Sequence, residues 1–191
     1  MKLCFATNNK NKIVEIKSIL GDQFEILSLQ EIGCNEELPE TKDTIEGNSL
    51  QKAAYVWENY KVDCFSDDSG LEVLALNGEP GVYSAMYAGP ACNAEDNMGL
   101  LLKKLEQKTD RSALFRTCIT LIINGAVHSF EGTVKGTILK VRQGEKGFGY
   151  DPIFKPEGFD VSFAEMSREE KNSISHRGKA VKGLVGFLNN M

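Results

Sequence analysis

The sequence predicts an α/β protein on three observations: a strand–helix–strand opening, a glycine-marked β-hairpin in the second half, and capped amphipathic helices between the strands. "KLCFAT" (residues 2–7) is an apolar strand that runs straight into "NNKNKIVEIKSILG". There Ile13, Ile16, Ile19 and Leu20 recur at helical spacing, and Gly21 stands where a helix commonly ends. "FEILSL" (24–29) reads as a second strand. After the polar stretch "QEIGCNEELPETKD", Asp43-Thr44-Ile45-Glu46 has capping-box spacing and opens a helix carrying Leu50, Ala53, Ala54 and Trp57. Val62, Cys64 and Phe65 form a short strand, and Leu71, Val73, Leu74 and Leu76 a further one, with Asp67-Asp68-Ser69-Gly70 as a loop-like segment between them. A turn follows at "NGEPG" (77–81), and Asn93 caps a helix bearing Met98, Leu101, Leu102 and Leu105. In "ALFRTCITLIINGAVHSFEGTV" two β-rich runs meet at Asn124-Gly125, the strongest two-residue hairpin signal. "GTILKVRQGEKGFGYDPIF" adds extended segments broken by glycine, and from Ser167 onward the chain reads as helical, with Ser167 and Glu170 as a second capping box. There is no internal repeat, low-complexity tract or long linker, so residues 1–191 are expected to form a single domain.

Composition narrows the function. A net charge of −5 and a pI near 5.2 oppose broad binding to nucleic acid or anionic membrane, which needs a basic surface. No apolar run approaches a membrane span, and "MKLCFATNN" lacks a signal peptide's apolar segment. The five cysteines are odd in number and widely spaced, without a C-x-x-C pair, so they are expected to be reduced, mostly buried residues of a cytoplasmic protein.

Three stretches are too polar and too glycine-rich to serve only as scaffold. "TNNKNK" (Thr7, Asn8, Asn9, Lys10, Asn11, Lys12) lies at a strand-to-helix junction, where unpaired N–H groups and the helix dipole suit a phosphate. Taken alone it also fits a solvated helix start, although lysines there oppose the dipole. In "GEKGFGYDPIF", Gly147 and Gly149 flank Phe148, so a sharply turning backbone can present an aromatic face to a base, a contact of about 1–3 kcal/mol. The plainer alternative is a turn whose Phe packs inward. "SREEKNSISHRGKA" gathers Lys171, His176, Arg177 and Lys179 beside Gly178, either a donor-rich binding segment or a solvated basic helix face.

The acids suggest what unites these stretches. Glu40 in "LPETKD" and the adjacent Asp67 and Asp68 are hard oxygen ligands of the kind Mg²⁺ shares with waters and phosphate oxygens. A cation would relieve the repulsion between neighbouring aspartates, with one carboxylate holding the ion and the other orienting or deprotonating water. Lys12, Lys52, Lys171 and Arg177 could neutralise a polyphosphate, the main demand of phosphoryl transfer.

In chain order, "FATNNKNK", "LPET", "QKA", "DDSGLEV", "EPGVYSA", "GFGYDPIF" and "EMSREEKNSISHRGKA" closely resemble the motifs of the inosine/xanthosine triphosphate pyrophosphatases, from about residue 3 to about residue 188. Those enzymes hydrolyse deaminated purine nucleoside triphosphates such as ITP, dITP and XTP to the monophosphate and pyrophosphate, cleansing the nucleotide pool. The resemblance implies an elongated mixed β-sheet flanked by helices, two lobes around a central substrate cleft, Mg²⁺ dependence and a homodimer. Position by position, it implies that Thr7 to Lys12 and Lys52 hold the phosphate tail. Glu40, Asp67 and Asp68 would hold Mg²⁺, with Asp68 also the proton acceptor and Ser69 a substrate contact. Phe148 would stack on the purine with Gly149, Tyr150 and Asp151 completing its loop, while Lys171, His176 and Arg177 close over the base and its 6-oxo edge.

One position departs from the pattern. Bacterial members commonly read "YSARYAG", whereas this chain has "YSAMYAG", with Met86 in place of the arginine. Arg111, Arg116 and Arg142 are candidates to replace its charge. Two rival readings use the same loops: a nucleotide-binding module without turnover, for which the acids would have little purpose, and the related septum-inhibitor-like pyrophosphatases, whose motifs this chain does not match.

Overall fold

The computed structural model describes the backbone of residues 1–191 and every side chain except that of Asp22. The chain is α/β, with a sheet in the strand order β2-β1-β3-β5-β6-β7 and β4 paired to β3. It divides into two compact units, each built from separate stretches of sequence.

The first unit comprises Met1–Asp68, Thr117–Gly132 and Arg177–Met191. Strand β1 (Lys2–Phe5) pairs in parallel with β2 (Glu25–Leu27) and with the start of β3 (Cys64–Val73). Successive strand residues face opposite sides, and both sides are buried, each against its own core. Leu3, Phe5 and Phe65 pack against Ile16 and Leu20 of α1 (Lys10–Leu20) and Ala180, Val181 and Leu184 of α5 (His176–Leu188). Cys4, Ala6 and Cys64 instead join Ala53 and Val56 of α2 (Ile45–Tyr60).

The second unit comprises Ser69–Arg116 and Thr133–His176. There the end of β3 pairs antiparallel with β4 (Pro80–Gly81), and the end of β6 (Ala126–Ile138) pairs antiparallel with β7 (Phe154–Pro156). Its core joins Leu71 and Val73 to Met98 and Leu101 of α3 (Ala94–Lys104), Phe115 of β5 (Ser112–Ile123), Phe154 and Phe163. Helix α4 (Arg168–Ile174) starts at the expected Ser167–Glu170 capping box.

The hairpin turns where expected, with Asn124 at φ 50 and Gly125 at φ 78, the two left-handed residues that its tight turn requires. Asn93 caps α3 as expected, and Gly21 closes α1 at φ 58. Four expectations are corrected. Residues 64–73 form one unbroken strand, so Asp67 and Asp68 lie within the sheet and not on a loop. The strand expected over 24–29 stops at Leu27, because the Ser28 N–H donates to the Glu31 carboxylate and leaves the ladder. Thr44, not Asp43, caps α2, its hydroxyl accepting from Gly47 N. The C-terminal helix breaks at Ser175, whose extended ψ of 159 separates α4 from α5.

Cys4, Cys34, Cys64 and Cys118 are buried free thiols, Cys92 is an exposed one, and burial pushes Cys4 and Cys64 up to about 12. Among the described residues no helix is long and apolar enough to cross a membrane.

Gly136 shows how closely β6 and β7 approach: a Cβ there would meet the Lys155 carbonyl oxygen and the Phe154 ring. Gly136→Ala should therefore cost about 1–3 kcal/mol, like other overpacked sites. Gly99→Ala, in α3 with no atom within 4 Å of the added methyl, should gain up to about 1 kcal/mol. Urea unfolding of the two variants checks the contrast, and equal stability would refute the close approach.

Candidate active site

The alternation of β3 sends its two neighbouring aspartates to different partners. Asp67 shares the side of Phe65, facing α1 and α5; Asp68 shares the side of Cys64, facing α2. Each carboxylate thus meets its nearest cations on its own side of the strand.

Asp67 is fully buried. Its Oδ1 lies 3.1 Å from Lys12 Nζ of α1, and its Oδ2 accepts from Arg177 Nε of α5 at 3.1 Å. Arg177 also pairs through Nη1 with Glu15, one turn beyond Lys12 on α1. Burial would raise the Asp67 carboxyl, but Lys12, Arg177 and Lys52 outweigh it and hold it well below the usual carboxylate range. Burial lowers the Lys12 amine despite Asp67, whereas for Arg177 the opposing burial is overcome by Asp67 and Glu15, which raise it. Glu15 was not foreseen as a site residue; its one signal is a carboxylate set immediately beside the apolar Ile16 of α1.

Asp68 faces Lys52, whose Nζ lies 3.7 Å from Asp68 Oδ1 and also pairs with Glu40. Lys52 is buried in α2, while the Glu40 side chain is half exposed. Burial, helped by Glu40 and Asp67, pushes the Asp68 carboxyl up against the opposing pull of Lys52 and Lys12. Burial would lower Lys52, but Asp68, Asp67 and Glu40 raise it. Asp68 Oδ2 is buried and has no hydrogen-bond partner among the described residues. A buried carboxylate oxygen without a donor is costly, and a hard cation would satisfy it. Glu40 and Asp68, brought together at Lys52, therefore fit a divalent ion. Asp67 is not brought to them, and among the described residues no three acidic, histidine or cysteine side chains converge as metal ligands.

At the α1 entrance Asn9 is the N-cap: its Oδ1 accepts from Asn11 N at 3.0 Å and Lys12 N at 3.2 Å. Thr7 Oγ1 accepts from Asn9 N at 3.2 Å. Asn8, Lys10 and Asn11 are exposed, so this junction presents donors to solvent around a locally satisfied helix start.

In the second unit, Asp151 organises the glycine-hinged loop. Its Oδ2 accepts from Phe148 N at 2.8 Å and from Lys171 Nζ at 2.6 Å. Gly147, at φ 78, leaves that carboxylate room that any Cβ would fill, and Gly149 turns at φ 63. Lys171 Nζ stands 5.0 Å from the centre of the half-buried Phe148 ring. Tyr150 is buried and donates to Ser84 O at 2.9 Å, so it anchors the loop. His176 is buried and stacks on Phe115 at 4.6 Å with the planes 7° apart, and Ser69 is half-buried in β3. Met86 is half exposed, and the three arginines named as candidates to replace its charge have partners of their own: Arg111 donates to three backbone carbonyls, Arg116 lies near Glu72, and Arg142 pairs with Glu95.

The sequence model of the Ham1 family matches residues 3–187. A dITP/XTP pyrophosphatase of Flavobacterium johnsoniae is 59% identical over 188 residues, covering 98% of each chain. One of Flavobacterium psychrophilum is 56% identical over 190 residues, covering all of both chains. The structure of the Staphylococcus aureus Ham1 protein is similar at a TM-score of 0.91 and 39% identity, covering 100% of this chain and 99% of that one.

Asp67→Asn would leave the buried Arg177 and the partly buried Lys12 without their shared anion, so it should cost about 3–5 kcal/mol of stability. The folded chain keeps Asp67 ionised where the unfolded chain takes up a proton. Its contribution is thus present above the ordinary aspartate pKa and is lost as pH falls below it. Urea unfolding of both proteins from neutral pH into the carboxylate range should show a shallower acid loss for the variant. An unchanged midpoint and slope would deny Asp67 this role.

Proposed function

The chain belongs to the Ham1 family, and on that premise we propose that it hydrolyses ITP, dITP and XTP to the nucleoside monophosphate and pyrophosphate. The observation that carries the reading is Asp68: a buried carboxylate of raised basicity, facing Lys52, with one oxygen uncommitted. A base of this kind takes a proton from water as the water oxygen bonds to the α-phosphorus, and the bond from that phosphorus to the bridging oxygen breaks. Pyrophosphate leaves, and the proton rests on Asp68.

Lys52 and Lys12, with the donors of Thr7 to Asn11, compensate the charge of the phosphate tail. Glu40 and Asp68 would hold Mg²⁺, which when bound would neutralise phosphate charge and lower the pKa of water. We assign Asp67 to fixing Lys12 and Arg177, since the structure gives it those partners. Phe148 is the platform for the purine, supported by its half-buried ring on a loop tied down through Asp151. Ser69, Gly149, Tyr150, Lys171 and His176 shape that region. Arg177, its guanidinium already oriented by two carboxylates, is the donor for the base's 6-oxo group. Adenine offers an amino donor there and leaves a buried donor unpaired, the kind of mismatch that discriminates strongly. We further propose that the protein acts in the cytoplasm as a homodimer, on the family resemblance.

Phosphorus NMR during turnover of ITP with Mg²⁺ should show monophosphate and pyrophosphate; build-up of the diphosphate nucleotide and inorganic phosphate would overturn the assignment. Asp68→Asn should lower kcat about 10²–10⁴-fold while the fold survives. Glu40→Gln should raise the Mg²⁺ concentration needed for half-maximal rate, and chelation should abolish turnover.

Phe148→Ala should leave the melting temperature nearly unchanged and raise KM for ITP, XTP, GTP and ATP together, because stacking is indifferent to the base edge. A large drop in melting temperature with KM unchanged would return Phe148 to the core.

A further inference from the structure

Beneath Asp68 and Lys52 lies a buried set of hydroxyls that the chemistry above does not use. Ser49, Ser66 and Thr120 are at most 3% exposed. Ser66 Oγ donates to the Ser49 carbonyl of α2 at 2.5 Å, and Ser49 Oγ donates to Thr120 Oγ1 of β5 at 3.0 Å. The two serine oxygens are 3.1 Å apart. The inward face of α2 also buries Ile45, Ala53 and Val56 together with the polar Asn48 and Lys52.

The spacing gives this set a direction. Ser66 and Asp68 are two apart on β3 and share one side of the strand, whereas Ser49 and Lys52 are three apart on α2 and share one face of the helix. Beyond the Cys64 Sγ contact to the Ala53 carbonyl at 3.3 Å, helix and strand are linked twice in succession: by the Ser66–Ser49 hydrogen bond, and then by the Lys52–Asp68 pair at 3.7 Å. The second link is long for a hydrogen bond and ends on a flexible four-carbon stem, so it cannot by itself hold the helix in register. The first is short, buried and directional. Apolar groups of the same shape would fill this space at little cost, so the hydroxyls contribute a specific alignment more than stability.

We propose that Ser66, with Ser49 and Thr120, is a positioning residue that sets α2 on β3 so that Lys52 stands opposite Asp68. The proposal rests on the catalytic reading of those two residues. Small displacements of a charge-compensating group are costly in rate, so the effect falls on kcat and not on the binding of the base.

A double-mutant cycle tests it, using single-turnover hydrolysis of ITP by Ser66→Ala, Lys52→Gln and the double variant, with melting temperatures alongside. Ser66→Ala alone should lower kcat about 10-fold with KM nearly unchanged. In the Lys52→Gln background the same substitution should cost less than about 2-fold, because the residue it positions is gone. An equal loss in both backgrounds would mean that Ser66 supports the fold generally, and would overturn the proposal. Thr120→Val, which keeps the shape and removes the hydroxyl, is run through the same cycle and should show the same dependence on Lys52. Wild-type protein that releases no pyrophosphate from ITP would instead refute the catalytic reading itself.

Discussion

The buried charge of Asp67 is the constraint around which the first unit is arranged. A carboxylate in the middle of a strand, with no access to water, is tolerable only if cations come to it. They come from two helices far apart in sequence, Lys12 on α1 and Arg177 on α5, and Glu15 balances the second positive charge. One residue of β3 thereby fixes the relation of the first helix and the last helix to the sheet. The apolar contacts of Phe65 with Ile16, Ala180 and Leu184 bring those helices in, but such contacts are non-directional. The ion pairs supply the register.

The other side of the same strand works differently. Asp68 is left with an uncommitted oxygen and a single lysine at a distance, and its basicity rises where that of Asp67 falls. Two identical side chains, adjacent in sequence, thus acquire opposite chemical characters from the face each occupies. The surroundings on each side of the strand hold one carboxylate well below its ordinary pKa and raise the other, a separation that one shared environment would not give.

Local signals in the sequence anticipated much of the fold. The Asn124-Gly125 turn, the Asn93 cap and the Ser167 capping box depend on a few neighbouring residues, and each stands where its chemistry indicates. The site motifs were legible as a set, since the order of "DDSGL", "GFGYDP" and "SHRGKA" marks the family. What stayed hidden depends on partners distant in the chain. Reading Asp67 and Asp68 as a loop followed from their polarity; only the pairing of β3 with β1, and the cations waiting on either side, make a strand possible there. Glu15 was invisible for the same reason, its partner lying 162 residues away. The break at Ser175 follows no proline or glycine at that position, so nothing in the local pattern announced it.

The distribution of thiols has a practical side. Four of the five cysteines are buried, and two of these are held protonated by burial well above neutral pH. Cys92 alone of the five meets solvent, in the loop before α3. Because reaction with electrophiles needs both access and thiolate, the native chain offers a maleimide or a fluorophore a single point of attachment. The protein can be labelled at one defined site without first removing any of its cysteines.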